Sequence, residues 1–132
     1  MGNDIQKSVK VTGVVTKDKL ASSVGSGSAD VFATPMVVAL MENAACKLAQ
    51  ELVSDDCTTV GTKISIEHLA ATAEGAQVYA VATLTESDGR RFEFIVEAYD
   101  NAGLIAKGTH QRFSVKTEKF MDKAKARLEE AL

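Results

Sequence analysis

Three side chains in this sequence have the types and spacing for acyl chemistry. Glu42 stands in "VFATPMVVALMENAACKLAQELV", Val31 to Val53, a run with helical periodicity. At roughly 100° per residue, Val38, Cys46, Ala49 and Val53 fall within about 40° of it, so the carboxylate points with an apolar stripe. A charge so placed has to be paired, solvated or used. The polar arc of Asn43, Lys47, Gln50, Glu51 and Ser54 borders that stripe, and a glutamate reaching sideways into water is the competing reading. In "VGTKISIEHLA", strict alternation puts Val60, Thr62, Ile64, Ile66 and His68 on one strand face and Gly61, Lys63, Ser65 and Glu67 on the other. An imidazole and a carboxylate are thereby sent into the same apolar layer. Thr34 precedes Pro35, and the pair reads as a helix start with threonine at the N-cap and proline at the first helical position. Capping is the ordinary role of such a hydroxyl. A helix start also presents N–H groups to a developing oxyanion, and a hydroxyl, a carboxylate and an imidazole around one cavity suit hydrolysis of an activated acyl group.

The elements that must position these groups follow from pattern. "SVKVTGVVT", Ser8 to Thr16, is rich in β-branched residues and predicts a strand. The Gly/Ser-rich "KDKLASSVGSGSAD" carries little apolar content and reads as a connector in preference to a lid. The helix is expected from Thr34 to about Val53. Four strands follow, within "TTVGTKISIEHLA", "AQVYAVATLTES", "RRFEFIVEAYD" and "GLIAKGTHQRFSVK". The separators "TAEG", "SDG" and "NAG" are hairpin signals, which predicts an antiparallel meander. The tail "TEKFMDKAKARLEEAL" places Phe120, Met121, Ala124 and Leu128 on one helical face, for docking on the body or on a partner. Strand, long helix and four strands describe an α+β layer architecture, a five-stranded antiparallel sheet wrapped around a central helix: the hotdog fold. That architecture carries the expectation of a homodimer.

At 132 residues the chain is expected to form one domain over 1–132. Its 45% hydrophobic and 25% charged content are those of a globular protein, and a net charge of −3 argues against nonspecific nucleic-acid or membrane-surface binding. No apolar run reaches the ~18 residues of a membrane span, and "MGNDIQKSVK" has no signal-peptide core, so a cytoplasmic location is expected. Cys46 and Cys57 lack metal-ligand spacing and read as reduced thiols; neither a metal nor a cofactor is expected.

The segments "VFATPMVVALMENAA", "VGTKISIEHLAAT" and "GLIAKGTHQRFSV" together resemble the fluoroacetyl-CoA thioesterase-like family of hotdog-fold enzymes, over about Val31 to Lys119. The resemblance implies acyl-CoA thioester hydrolysis, with Thr34, Glu42 and His68 as catalytic residues, Gly61 beside the site and Arg112 lining it. Glu42 would serve as base or nucleophile, His68 as proton shuttle and Thr34 as positioning hydroxyl. The fluoroacetyl-specific enzymes carry an aromatic-rich lid before the helix; "ASSVGSGSADVFA" here holds one aromatic, Phe32, taken as a substrate contact. An acyl-CoA substrate calls for cations at the cleft rim, and Arg90, Arg91, Lys107, His110, Arg112, Lys116 and Lys119 are the candidates. Alternation puts His110 and Arg112 on one face with Leu104 and Ala106. A hotdog hydratase would need a histidine five residues after its helix acid, where Lys47 stands. A non-catalytic acyl-CoA or metabolite-binding module is the alternative of a different class.

Overall fold

The computed structural model describes residues 7–131. The "MGNDIQ" start, read above for a signal peptide, lies outside them. Strand β1 (Ser8–Val14) leads through a 3-10 turn (Lys17–Lys19) and a short helix α1 (Ala21–Val24) to the long helix α2 (Thr34–Gln50). Strands β2 (Cys57–His68), β3 (Gln77–Ser87), β4 (Arg91–Asp100) and β5 (Gly103–Lys116) follow, and helix α3 (Thr117–Glu130) ends the chain. The five strands form one antiparallel sheet in the order β1-β3-β4-β5-β2, with α2 across its inner face. No helix among the described residues is long and apolar enough to cross a membrane.

The "SDG" and "NAG" signals close the β3–β4 and β4–β5 hairpins. In the first, Gly89 has φ +93°, a conformation that glycine takes without steric cost, and Asp88 Oδ1 accepts from the N–H groups of Arg90 and Arg91 at 3.0 and 2.8 Å. The meander expectation fails at "TAEG": β2 does not pair with β3 but lies at the far edge against β5. The segment after His68 crosses the structure instead of reversing it. It is held by hydrogen bonds from Leu69 N to Ile105 O, from Phe32 N to Thr72 O, and from Thr72 Oγ1 to Asp100.

The core is the layer between α2 and the sheet. Val37, Met41, Ala44, Ala45, Leu48 and Ala49 of α2 are buried against Val78, Ala80, Ala82, Phe92, Phe94, Val96 and Ala98. The alanines on both surfaces let helix and sheet approach closely, and the two phenylalanines fill the space that remains. The buried face of α2 is thus centred one residue away from the stripe expected around Glu42, so Val38, Glu42 and Cys46 lie at its flank. The helix stops at Gln50, three residues before the expected end.

The connector before α2 is tied down more firmly than its composition suggested. Leu20, Ala21 and Phe32 are buried, Leu20 forms a β-bridge with Phe32, and Val31 one with Ala73. Three apolar residues suffice because the bridges satisfy the local backbone. Helix α3 is the opposite case, with no buried residue; Phe120, Met121 and Leu128 are exposed.

Candidate active site

Thr34 is the first residue of α2, not its N-cap. Ala33 holds the cap position with extended backbone and no side-chain cap hydrogen bond, and Pro35 comes second. The threonine hydroxyl is therefore not spent on capping. Its Oγ1 lies 2.7 Å from Nδ1 of His68, the last residue of β2. The other ring nitrogen, Nε2, is buried and has no hydrogen-bond partner among the described residues. An orphaned imidazole nitrogen costs free energy unless something else engages it, which marks the place where a further group belongs. Beside the pair opens a cavity of about 280 Å³ lined by Ala21, Val31, Phe32, Ala33, Ala70 and Ala71 among others. Small side chains leave the room, and Phe32 supplies an apolar wall.

A second cluster forms midway along α2. Glu42 Oε2 is 3.6 Å from Arg112 Nη1 and 3.9 Å from His110 Nε2, and the carboxylate remains 40% exposed. The glutamate thus sits on the border that the sequence allowed, paired on one side and wetted on the other. It makes no hydrogen bond or ion pair with His68. Gly61 of β2 completes the cluster, since a Cβ there would fall 2.5 Å from Glu42 Oε2 and 3.1 Å from His110 Cε1.

Gly61 reaches this face through a departure from strict alternation. The β2–β5 register shifts between Gly61 and Lys63, so Thr62 sits in a bulge. Gly61 pairs with Arg112, Ile64 with His110 and His68 with Ala106, which puts Gly61, Ile64, Ile66 and His68 on the inner face together. The expected assignment of Gly61 and Thr62 to their faces is reversed. On β5, Ala106, His110 and Arg112 do share the inner face; Leu104 is 37% exposed, because the β4–β5 register also shifts beside Tyr99.

His110 and Arg112 were rim candidates for phosphate contacts, and both prove buried, at 2% and 6% exposure. Arg112 donates from Nε to Thr59 Oγ1 and from Nη2 to Thr59 O, each at 2.9 Å, and Nη1 lies 3.2 Å from His110 Nε2. His110 Nδ1 donates to Lys63 O at 2.8 Å. Burial, first, and the Arg112 charge push the His110 pKa below its ordinary value, against the opposing pull of the Lys63 carbonyl and Glu42. Inward alternation was visible for His110 in the sequence, but its partnership with Arg112 and Glu42 depends on strand register. Of the other rim candidates, Arg91 is paired with Glu86 and Glu93. Among the described residues, no group of three or more His, Cys, Asp or Glu side chains comes together to hold a metal.

The structure therefore brings Thr34 to His68, and Glu42 to Gly61, His110 and Arg112, as two clusters in one chain. They are separated by seven residues of β2, roughly 20 Å along the strand, and by eight residues of α2, roughly 12 Å along the helix.

A central helix wrapped by this five-stranded antiparallel sheet is the hotdog fold, and the chain's relatives make it a thioester hydrolase of that fold. Solved structures agree. The fluoroacetyl-CoA thioesterase FlK superposes with a TM-score of 0.86 at 30% identity over 92% of this chain and 95% of that one. A thioesterase-superfamily member from Thermus thermophilus gives 0.83 at 27% identity over 94% of each chain. The sequence model of the fluoroacetyl-CoA-specific thioesterase family matches residues 15–118, and the chain belongs to that family. The fluoroacetyl-CoA thioesterase of Streptantibioticus cattleyicolor is 36% identical over 96 residues, 73% of this chain and 69% of that protein.

Proposed function

We propose that the protein, acting as a single domain, hydrolyses the thioester of a small acyl-CoA to the free acid and CoA, with Thr34, Glu42 and His68 as its catalytic residues. The observation that carries this reading is the 2.7 Å contact between Thr34 Oγ1 and His68 Nδ1, with an unpartnered Nε2, at a small cavity whose lining mixes polar and apolar side chains. An acyl group seated there has its carbonyl near a helix start that no side chain caps; Pro35 has no N–H and those of Met36 and Val37 donate to Ala33 O, so the Thr34 N–H is the backbone donor toward a developing oxyanion. Glu42, as base toward water or as nucleophile, supplies the attack. The carbon–oxygen bond forms, the carbon–sulfur bond breaks, and the departing CoA sulfur takes up a proton through His68. By either route the net reaction consumes one water.

Because one chain holds the carboxylate and the imidazole apart, the active form in this reading is a homodimer. Strand β2 is an edge of the sheet, and an open edge invites pairing with a second copy. Antiparallel β2–β2 pairing about a two-fold axis through Ser65, with Thr62 bulged out of the register, sets Gly61 of the partner subunit, and with it Glu42 of the partner subunit, opposite His68. The orphaned Nε2 then acquires a carboxylate. Gly61, Phe32 and Arg112 serve as substrate-side residues, Gly61 and Arg112 by framing the carboxylate and Phe32 by walling the acyl cavity. Since Phe32 is the one aromatic of the segment before α2 and is itself 2% exposed, selectivity for fluoroacetyl over other small acyl groups is not part of the proposal. The free thiols of Cys46 and Cys57 fit a reducing cytoplasm.

The test is thiol release from a panel of short acyl-CoAs. Release that disappears in Glu42→Ala and His68→Ala with folding retained supports the hydrolase. Saturable binding with no release by the wild type would establish the acyl-CoA-binding module instead.

A further inference from the structure

Building on the proposed hydrolysis at Glu42, we propose that His110 is a positioning residue of that site: a neutral imidazole whose Nε2 accepts a hydrogen bond from Arg112 and thereby aims the guanidinium at the Glu42 carboxylate. Lys63 O, 2.8 Å from Nδ1, is a carbonyl and only accepts, so Nδ1 carries a proton. Arg112 Nη1, 3.2 Å from Nε2, only donates, so Nε2 must offer its lone pair. One neutral tautomer satisfies both contacts, and the buried position favours the uncharged ring.

The arginine is gripped from two sides. Thr59 holds Nε and Nη2 through its hydroxyl and carbonyl, which fixes the plane of the guanidinium. Nη1 has two hydrogens; with one on His110, the other is left toward Glu42 Oε2, 3.6 Å away. The groups facing the imidazole are therefore Glu42 from α2, Arg112 from β5, the Lys63 carbonyl from β2 and the uncharged Phe94 ring from β4 at 6.1 Å. Protonating Nε2 reverses the arrangement. An imidazolium N–H is repelled by Arg112 and drawn to Glu42 Oε2, now 3.9 Å distant, so the arginine loses its guide and the carboxylate gains a competitor. Glu42 needs to be held yet remain available to substrate, and a neutral acceptor behind the arginine achieves that without placing a second cation on it.

The test uses the full chain as wild type, His110→Phe and His110→Gln. The chain contains two histidines, so long-range ¹⁵N spectra of the wild type against His68→Ala assign both rings. His110 is expected neutral with its proton on Nδ1 from about pH 8 to about pH 6.5; a charged ring or an Nε2–H tautomer in that range overturns the proposal. In thiol release, His110→Phe should lower kcat roughly 10- to 100-fold with KM nearly unchanged. His110→Gln, which offers a carbonyl oxygen near the Nε2 position, should restore most of the rate and remove the loss of kcat that accompanies His110 protonation in the wild type. A phenylalanine variant as fast as wild type, or a glutamine variant no faster than phenylalanine, refutes the role. If the wild type releases no thiol, the hydrolase reading fails, and a crystal structure of His110→Phe still decides this one. Arg112 Nη1 is expected to leave Glu42 while Nε and Nη2 stay on Thr59, and an unmoved Nη1 overturns the inference.

Discussion

Replacing Gly61 with alanine separates catalysis from folding in a way the structure quantifies. The new methyl carbon would stand 2.5 Å from Glu42 Oε2, 3.1 Å from His110 Cε1 and 3.4 Å from Arg112 Nη1. Ordinary contact begins near 3.4 Å, so the carboxylate must retreat by about 0.9 Å, a displacement of the size that costs roughly 10²-fold in rate when it moves a reacting group. At 1.36 kcal/mol per decade the barrier rises by about 2.7 kcal/mol. The fold pays little, because the colliding atom ends a flexible side chain that is 40% exposed and can swing outward, and the stability change should stay within about 1 kcal/mol. The assay is kcat for thiol release alongside urea unfolding of the same preparation. Loss of rate with unfolding unchanged supports a fixed carboxylate position. A rate within threefold of wild type (about 0.65 kcal/mol) would refute the link between Gly61 and Glu42 placement.

Gly108→Ala should do the reverse, since its Cβ would meet the Ser65 carbonyl oxygen and lie 2.7 Å from Ile66 Cα, both backbone; a loss of about 3 kcal/mol is expected by urea unfolding, and a stability unchanged from wild type would contradict the close β2–β5 approach. Mixing inactive Glu42→Gln with inactive His68→Ala under subunit exchange should regenerate about a quarter of wild-type thiol release, because half the dimers are mixed and each carries one intact shared site. No recovery, with mixed dimers demonstrated by mass, places both residues in one subunit. Stability should also fall on acidification through His110. Its folded pKa lies below the ordinary 6.5, so the contribution is fully present above that value and is lost as pH drops toward the folded pKa, with a slope of up to about 1.4 kcal/mol per pH unit. Urea unfolding between about pH 7.5 and 5 should show this slope reduced in His110→Phe, and equal slopes would contradict the neutral buried ring.

Much of the architecture could be read from local chemistry. Thr34-Pro35 marked the start of α2, and "SDG" and "NAG" marked two true hairpins, because capping and turn conformations depend on a few adjacent residues. "TAEG" carries the same kind of signal without reversing the chain into a pair, since whether β2 joins β3 or β5 depends on how the sheet closes around the helix. The bulge at Thr62 was hidden for a similar reason. "VGTKISIEH" alternates without interruption, and only pairing with β5 reveals that Gly61 belongs with Ile64 and His68. For the site, the residue types were legible and their grouping was not. Glu42 and His68 do enter one layer, but along a long strand that layer has two ends, and periodicity specifies a face without specifying a position on it. His110 and Arg112 looked like rim cations because charge suggests solvent; Thr59 and the Lys63 carbonyl, which make their burial tolerable, are contributed by a different strand.

Helix α3 leaves the sheet at Lys116 and buries none of its residues, and the family match stops at residue 118, one residue past the helix start. The family match thus ends where packing into the body ends, while the superposition on the solved fluoroacetyl-CoA thioesterase, over 93% of this chain, runs on into α3. An appendage that contributes no core atoms can be recoloured with charge or fused to another polypeptide without the body registering the change, which makes α3 the natural place for a surface tether in immobilised preparations.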